Sequence, residues 1–359
     1  MIIGGALSAN NAAVYRAILD GRSGSGPFCI IPTAGATPDS AMASPIATFD
    51  RHGGAGTATG VLISASRPET ARDPGVVEQI HRCSGFFFIG GVQSRVTAAF
   101  RPEGKSTPAY EALMRRWREG AVVSGSSAGA AIMSDPMIAG GASDAAMTRG
   151  VRRITYSPAD GDDSTGGVTL APGLGLFSSA LADQHFLARG RFGRLVVAIL
   201  DEPRFDLAFG VDENTALVVD RDSVMAVGAS GVVVFDERSA RRSGASVDGI
   251  TMHLLGTGDR FDLRRRTVTF APAKSRITVD PSTPALTAPA NPFGRFELLK
   301  VLDRFARSAR SDITMPMQGG GRIVLRKQGD FSAVASPGIG VQDTRAGLGI
   351  TGMRLDVIR

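Results

Sequence analysis

The sequence has few of the residue types that build metal centres and stacking surfaces. Its 359 residues include two cysteines, four histidines, one tryptophan and three tyrosines. Four histidines are too few for a His-rich metal centre, and neither cysteine has a partner at metal-ligand spacing, so no metal site is expected. Cys29 and Cys83 each lie in or beside an apolar stretch. We therefore predict that both are buried free thiols.

Long apolar runs are also missing. No run of about eighteen apolar residues occurs, so a membrane span is not expected. The chain opens with MIIGGALSANN, which is typical of a core strand and a glycine-rich turn rather than of a secretory signal. The compartment stays open: the protein is expected to be cytoplasmic, or exported if a targeting segment precedes this sequence. A hydrophobic content of 43% predicts a globular protein with a sizeable core.

The excess of positive charge is small. Forty basic residues face 34 acidic ones, which gives a net charge of +6. Such a surplus would suit a polyanion partner, but few tyrosines and tryptophans are present to stack on bases. The RGRFGR segment leads straight into the apolar LVVAIL, whereas RG-type binders are usually disordered and rich in aromatic residues. Nucleic-acid binding is therefore not expected.

Short apolar runs alternate with helix-like segments through the first two thirds of the chain. This alternation predicts an α/β fold with a mostly parallel central sheet flanked by helices on both faces. Sites in such folds lie outside the carboxyl ends of the strands, where glycines follow the apolar runs of this sequence. The predicted strands are MIIGGA, FCIIPTA, GVLISAS, GFFFIGG and AVVSGSS, and the predicted helices are NNAAVYRAILD, GVVEQIHRCS, QSRVTAAF and TPAYEALMRRWREG.

The pattern changes in the last third of the chain. From about residue 205, β-rich pieces predict hairpins that close the sheet or extend it in antiparallel fashion. Residues 276–294 are rich in Pro, Thr and Ala, which is typical of a linker. Beyond them, FELLKVLDRFARSA predicts an amphipathic helix, followed by glycine-rich turns and short strands. We therefore divide the chain into an α/β domain (1–275), the linker (276–294) and a small C-terminal extension of unassigned role (295–359).

A serine lies between two glycines at a predicted strand-to-helix junction. Residues 121–135 read AVVSGSSAGAAIMSD, which places Ser127 in a G-x-S-x-G pattern from Gly125 to Gly129. The small residues allow a sharp turn that presents the hydroxyl, and backbone N–H groups at a helix start favour the negative charge of an oxyanion. The alternative is a flexible turn, because the pentapeptide alone is a weak signal in a chain with 45 glycines.

A serine nucleophile needs a base and an acidic partner. His185 has polar neighbours on both sides in LADQHFLARGRFGRL, whereas the other histidines lie on predicted helix surfaces or on a β-rich piece. Asp212 and Glu213, in FGVDENTALVV, are both candidates for the acid. The order Ser, His, acid differs from the order in α/β-hydrolases, which indicates another α/β scaffold.

Four separated motifs together resemble the cyanophycinase family, serine exopeptidases related to aspartyl dipeptidase. The motifs are GSSAGAAIMSD, DQHFLARGRFGRL, FFFIGGVQSRVTAAF and GVDENTAL, and the likeness spans roughly residues 1–275. The arginines that follow DQHF favour the cyanophycinases over the dipeptidases. The resemblance implies a fold like that of class I glutamine amidotransferases, with flavodoxin-like layering, a homodimer, and neither metal nor cofactor.

The resemblance also implies roles for individual residues. Ser127 would be the nucleophile, His185 the general base and Glu213 the acidic member of the triad, with the adjacent Asp212 as the alternative. Val92 stands where the family usually has an acidic or amide residue. The residues implied to bind substrate are Gln93, Asp183, Gln184, Arg189, Arg191 and Arg194. We add the backbone N–H groups near Gly91 and Ala128 as candidates for the oxyanion hole.

The implied substrate and partner is cyanophycin, a poly-aspartate whose side-chain carboxyls are amide-linked to arginine. Each unit offers a carboxylate and a guanidinium, which suit arginine and aspartate side chains in a pocket. The expected reaction is attack on the backbone amide, formation of an acyl-enzyme and release of β-aspartyl-arginine dipeptides. The alternative is an aspartyl or isoaspartyl dipeptidase of the same fold, and the arginine cluster argues against it.

Overall fold

The computed structural model describes residues 1–155, 166–279, 286–337 and 345–359. Its helices are α1 Ala12–Asp20, α2 Pro38–Ala41, α3 Ala43–Gly53, α4 Pro74–Arg82, α5 Gln93–Phe100, α6 Pro108–Arg118, α7 Ala128–Ala131, α8 Ser143–Arg149, α9 Phe192–Asp201 and α10 Glu297–Arg307. The strands of the first half are β1 Ile2–Ile3, β2 Phe28–Ile31, β3 Ala58–Gly60, β4 Gly85–Phe88, β5 Val122–Ser126, β6 Met137–Gly140, β7 Val151–Arg153, β8 Val168–Ala171 and β9 Leu181–Asp183. Those of the second half are β10 Leu207–Val211, β11 Thr215–Asp220, β12 Ser223–Gly228, β13 Val232–Asp236, β14 Arg241–Ser243, β15 Ser246–Leu255, β16 Arg260–Asp262, β17 Thr267–Thr269, β18 Ser275–Arg276, β19 Asp312–Pro316, β20 Arg322–Ala335 and β21 Gly349–Ile358.

The first sheet is mixed, so the prediction of a mostly parallel sheet is wrong. In the order β17-β16-β12-β11-β1-β5-β4-β2-β3, the strands from β1 to β3 pair in parallel and those from β17 to β1 pair antiparallel. The reason lies in the connections. A two-residue turn joins β11 to β12, which is too short for the crossover that a parallel pair requires. The α/β class itself is confirmed.

The second sheet continues the antiparallel part of the chain. Its order is β18-β20-β21-β15-β13-β10-β9, and only β9 with β10 pairs in parallel among these described neighbours. The tail predicted to hold short strands instead supplies β20 and β21, of 14 and 10 residues, because they pair along their length with each other. A third, small sheet has the order β6-β8-β7.

The predicted helices of the first third are confirmed within one or two residues by α1, α4, α5 and α6, and the late amphipathic helix by α10. The predicted strand GVLISAS is wrong, since β3 ends at Gly60. The chain turns there because side chains take over the backbone partners: Thr33 Oγ1 donates to the carbonyl of Ile63, and Ser64 N–H donates to Thr70 Oγ1.

The cysteines form a disulfide, so the prediction of free thiols is wrong. Cys29 on β2 and Cys83 at the end of α4 are bonded across 54 residues of sequence, and both are fully buried. Their burial was expected from the apolar surroundings. The pairing follows from the sheet: β2 lies beside β4, and β4 begins two residues after Cys83, so the sheet brings the two thiols together.

The apolar residues of the described segments form three buried clusters. Helices α1 and α3 cover one face of the first sheet, and α4, α5 and α6 pack against its other face. Residues of β10 and β13, from the second sheet, belong to the same cluster as these three helices. Helices α8, α9 and α10 cover the second sheet. The apolar residues of α10 are therefore buried in one cluster with residues of strands that precede residue 275. The division at 275 and 294 stays a prediction, and residues 280–285 of the linker lie outside the described residues.

None of the described helices has both the length and the apolar character needed to cross a bilayer.

Candidate active site

Ser127 lies at the junction that the sequence motif predicts. It follows β5 directly, precedes the single turn of α7, and has a positive φ of 57°. The flanking glycines are needed for close approach, since a Cβ on Gly125 would come within 2.1 Å of the carbonyl oxygen of Gly129. A positive φ at a residue with a side chain costs free energy that the surrounding structure must supply. The tight turn at Ser127 is therefore possible because the backbones of Gly125 and Gly129 lie in contact, which leaves no room for a side chain on Gly125.

Ser127, His185 and Glu213 are linked by two hydrogen bonds. The Oγ of Ser127 lies 2.9 Å from Nε2 of His185, and Nδ1 of His185 lies 2.7 Å from Oε1 of Glu213. An ionised carboxylate only accepts hydrogen bonds, so the neutral imidazole carries its proton on Nδ1 and accepts the serine hydroxyl proton at Nε2. This is the geometry of a nucleophile, a base and an orienting acid.

The imidazole of His185 occupies space left by a glycine. His185 has a positive φ of 49°, and its N–H donates to the carbonyl of Gly4 at 2.6 Å. A Cβ on Gly5 would lie 2.2 Å from Nε2 of His185. The glycine pair after β1 therefore both fixes the backbone of the histidine and leaves room for its ring.

Of the two adjacent acids, only Glu213 contacts the histidine among the described residues. The Asp212 side chain points to the interior, where Oδ1 accepts the N–H of Ala188 at 2.8 Å and Oδ2 lies 2.5 Å from the hydroxyl of Ser230. Asp212 follows the end of β10 and Glu213 begins the turn that leads to β11, so the two side chains leave the backbone in different directions. The sequence left both carboxylates open as the acid, and the geometry favours Glu213.

The environment keeps the histidine neutral. Burial is the main cause that lowers the pKa of His185 below its ordinary value of 6.5. The hydrogen bond with Glu213 opposes this shift, whereas the charges of Arg189 and Arg191 reinforce it. A neutral imidazole at neutral pH is able to accept a proton from the serine.

Three of the predicted substrate residues, Gln184, Arg189 and Arg191, lie near His185, and Gln93 lies on another segment. Gln93, at the start of α5, donates from Nε2 to the carbonyl of Ala139 at 2.6 Å and is partly buried. Arg189 has a side chain that is 51% exposed, with Nε 3.9 Å from Oε1 of Glu213. The guanidinium of Arg191 is buried and donates to the backbone carbonyl of Gln184 at 3.0 Å. The buried Oε1 of Gln184 has no hydrogen-bond partner among the described residues.

Asp183 and Arg194 lie in the interior and pair with each other, and their role in binding substrate stays a prediction. Each side chain is 1% exposed, and they form a two-point ion pair with N···O distances of 2.6 and 2.8 Å. A third guanidinium nitrogen donates to the carbonyl of Gly141. Burial alone would raise the pKa of Asp183, but attraction to Arg194 outweighs it and holds this pKa below its ordinary value. Three arginines near one histidine need counter-charge, and for Arg194 the protein supplies it.

The two oxyanion candidates lie on segments next to the serine. Ala128 is the residue after it, and Gly91 follows β4, whose neighbour β5 carries Ser127. A Cβ on Gly90 would lie 3.8 Å from the Oγ of Ser127, which places this glycine loop beside the hydroxyl. Helix α7 has only four residues, so its dipole adds less than the sequence suggested.

Sequence reasoning missed the residues that hold the loops of the site together. Asn214, at a positive φ of 54°, donates its N–H to the carbonyl of Gly5 at 2.8 Å. Its Oδ1 accepts from the N–H of Ser8 and from Nδ2 of Asn11. An asparagine directly after an acid pair and a glycine pair directly after a strand were the available signals.

Among the described residues, no group of three or more His, Cys, Asp or Glu side chains has the arrangement of a metal site.

A serine bonded to a histidine that is bonded to a carboxylate, on a strand-to-helix elbow of an α/β fold, is the arrangement of a serine hydrolase. No family model matches the chain. Among curated proteins, the chain is 31% identical over 291 residues to cyanophycinase of Nostoc sp. (strain PCC 7120), which covers 77% of this chain and 89% of the relative. It is 30% identical over 263 residues to cyanophycinase of Synechococcus elongatus, which covers 62% of this chain and 75% of that one.

The chain belongs to the cyanophycinase family, as the four sequence motifs predicted. Among solved structures, a peptidase from an acI-B1 Actinobacterium matches with a TM-score of 0.50 at 18% identity, covering 72% of this chain and 94% of that one. At this identity, the likeness concerns the fold.

Proposed function

We propose that this protein is a serine exopeptidase that hydrolyses cyanophycin and releases β-aspartyl-arginine dipeptides. The observation that carries the reaction type is the hydrogen-bonded series Ser127–His185–Glu213 on the elbow after β5. The substrate is assigned from the relatives named cyanophycinase. No observation favours the alternative, an aspartyl or isoaspartyl dipeptidase of the same fold.

The three side chains divide the chemistry. The Oγ of Ser127 attacks the backbone carbonyl carbon of the polymer while Nε2 of His185 takes its proton. Glu213 stabilises the imidazolium and keeps the ring in the tautomer with hydrogen on Nδ1. The imidazolium then protonates the leaving amine, which leaves an acyl-enzyme on Ser127. Water, deprotonated by the same Nε2, cleaves this ester and releases the dipeptide.

Backbone N–H groups near Gly91 and Ala128 are proposed to bind the oxyanion. Support comes from their places in the chain: Ala128 follows Ser127 directly, and Gly90, the residue before Gly91, lies against the Ser127 side chain. Hydrogen bonds to the oxyanion are worth more in the transition state than to the substrate carbonyl, which lowers the barrier.

The substrate unit carries a carboxylate and a guanidinium, and the residues near His185 suit both. We assign the exposed guanidinium of Arg189 to a substrate carboxylate, because a charged pair of this kind is strong and directional. The unpartnered Oε1 of Gln184 is suited to accept from a substrate N–H, since a buried acceptor without a partner is unfavourable. Gln93 and Arg191 are proposed to complete the pocket wall.

The fold family, the oligomeric state and the role of the C-terminal region are also proposals. The resemblance supports a fold like that of class I glutamine amidotransferases with flavodoxin-like layering, and a homodimer. We propose that residues 286–337 and 345–359 are a structural part of the catalytic unit, because β21 pairs with β15 and the apolar residues of α10 share one buried cluster with strands from the first 275 residues. Light scattering on the purified protein tests the homodimer.

The experiment that tests the function is release of dipeptide from purified cyanophycin, followed by mass spectrometry. The expected product is β-aspartyl-arginine, formed in increasing yield with time. Poly-aspartate without arginine branches is the matched control polymer, and it should be cleaved poorly or not at all. Equal turnover of the two polymers would refute the substrate assignment while leaving the serine chemistry in place.

A further inference from the structure

Asp212 is a fully buried carboxylate next to the acid of the site, and the reaction described above does not use it. Its Oδ1 accepts the N–H of Ala188 at 2.8 Å, and its Oδ2 lies 2.5 Å from the hydroxyl of Ser230. Among the described residues it has no cation within ion-pair distance. Burial raises the pKa of Asp212 above its ordinary value, against the opposing hydrogen bonds from Ser230 and Ala188.

Both contacts of the Asp212 carboxylate, with Ala188 and with Ser230, connect segments that carry residues of the site. Ala188 belongs to the turn that begins at His185, and the next bonds of that turn run from Phe186 N–H to the carbonyl of Val211 and from Arg191 N–H to the carbonyl of Phe186. Asp212 lies between Val211 and Glu213, in the segment of the chain that faces this turn. Its side chain therefore spans from the strand end that carries the acid to the turn that carries the base.

The Ser230 contact closes the other side of the same strand end. The N–H of Ser230 donates to Thr215 Oγ1 at 2.8 Å, and that hydroxyl donates to the carbonyl of Glu213 at 3.1 Å. The backbone of Glu213 is therefore fixed by a chain of bonds that returns to Asp212 through Ser230. Removing one partner from such a buried network leaves donors unsatisfied, which costs more than the bond itself.

We propose that Asp212 is a positioning residue for catalysis. It locks the turn of His185 to the strand end of Glu213, so that the 2.7 Å bond between the two side chains is kept. The proposal rests on the proposed function of His185 as the base. A displacement of about 1 Å between reacting groups is enough to cost roughly a hundred-fold in rate, so the lock has a measurable effect.

The test compares Asp212→Ala with Asp212→Asn. Asparagine keeps an acceptor for Ala188 N–H and a polar group for Ser230, whereas alanine removes both. The readout is the rate at which a fluorophosphonate probe labels Ser127, because this reaction needs the serine and histidine but no cyanophycin. We expect labelling by Asp212→Ala to be slower by roughly ten- to a hundred-fold, and Asp212→Asn to recover most of the wild-type rate.

A matched control is Asp259→Ala. Asp259 is as deeply buried as Asp212, but its ion pair is with Lys274, away from the turn of His185. This variant should lose thermal stability and, while folded, label Ser127 at the wild-type rate. The labelling rate is also measured as a function of pH. In Asp212→Ala, the decline of this rate on acidification should occur at lower pH, because a loosened bond to Glu213 no longer raises the pKa of His185.

The labelling rates and their pH dependence decide whether Asp212 positions the catalytic residues. Slow labelling by Asp212→Ala, rescue by Asp212→Asn and a shifted acid limb support the proposal. Wild-type labelling by Asp212→Ala, or an equal defect in Asp212→Asn, overturns it. Should Asp212→Ala not fold, Ser230→Ala must show a smaller slowing and the same direction of pH shift, and an unchanged profile there overturns the proposal. If the wild type itself is not labelled, the function of Ser127 fails and the role of Asp212 fails with it.

Discussion

The guanidinium of Arg194 and the carboxylate of Asp183 form a two-point ion pair in which each side chain is 1% exposed. Removing one partner leaves an uncompensated buried charge. We predict that Arg194→Gln lowers the free energy of unfolding by roughly 3 to 5 kcal/mol, measured by urea denaturation. A loss below about 1 kcal/mol would show that the pair carries little of the stability.

Arg189 supplies the contrasting prediction. Its side chain is 51% exposed and has no buried partner among the described residues, so Arg189→Gln should leave stability within about 0.5 kcal/mol. If its guanidinium binds a substrate carboxylate, kcat/KM on cyanophycin should fall by the equivalent of roughly 1.5 to 3 kcal/mol, mainly through KM. Unchanged steady-state kinetics of this variant would remove Arg189 from the pocket.

The pH dependence follows from the lowered pKa of His185. Once protonated, the imidazole has no lone pair to accept the serine proton, so activity falls as pH drops through this pKa. Because burial lowers the pKa, we expect the midpoint of the acid limb of kcat/KM below 6.5. Arg189→Gln should move this midpoint to higher pH, since a cation that lowers the pKa is gone. His185→Ala should abolish the activity, and His81→Ala on α4 should leave the profile unchanged; a midpoint above 6.5 would contradict the environment described for the base.

The sequence was sufficient to locate three residues that the structure joins by hydrogen bonds and five of the ten described α-helices, but not the partners of the pocket residues. Ser127, His185 and Glu213 are recognisable because their motifs lie on local strand ends and turns. The pairing of Asp183 with Arg194 depends on the fold of the turn between them, and from sequence the two looked like neighbours of a ligand. Likewise, the Cys29–Cys83 bond needs the β2–β4 pairing, which no local pattern encodes.

The antiparallel half of the first sheet shows the same limit. The β-rich pieces after residue 205 were recognised, but whether they join the first sheet or form a second one depends on long-range pairing. Period-two alternation describes which side of a strand is buried and says nothing about its neighbour. The glycines near the site could be located from sequence, whereas the space that Gly5 leaves for the His185 ring could not.

The disulfide gives a prediction about stability. It closes a loop across 54 residues, and the loss of such a cross-link from the unfolded chain corresponds to about 4 kcal/mol. The double variant Cys29→Ala/Cys83→Ala should therefore unfold at lower denaturant concentration than the wild type, and its activity at 25 °C should be retained because both residues lie away from Ser127. Thiol titration of the unreduced, denatured protein provides the control. Two free thiols per chain would contradict the bond.

The C-terminal region is predicted to be needed for folding. Helix α10 packs on the second sheet with α9, the ring of Phe293 lies 4.8 Å from that of Phe192, and the N–H of Phe296 donates to the carbonyl of Leu187 near the base. Truncation after Val279 should uncover this apolar surface and yield insoluble or unfolded protein, measured by circular dichroism and gel filtration. A soluble, fully active truncation would show that the first 279 residues are an independent unit.

The central claim is that Ser127 is the nucleophile of a peptidase that degrades cyanophycin, and its neighbour Ser126 offers the matched control. Ser126 lies on β5 and is buried, whereas the hydroxyl of Ser127 is bonded to His185. The most direct measurement is the rate of β-aspartyl-arginine release from purified cyanophycin by wild type, Ser127→Ala and Ser126→Ala, each verified as folded. The account predicts a loss of several orders of magnitude, on the order of that seen for other triads, in Ser127→Ala, and a far smaller effect in Ser126→Ala. Substantial dipeptide release by Ser127→Ala, or equal losses in the two variants, would contradict it.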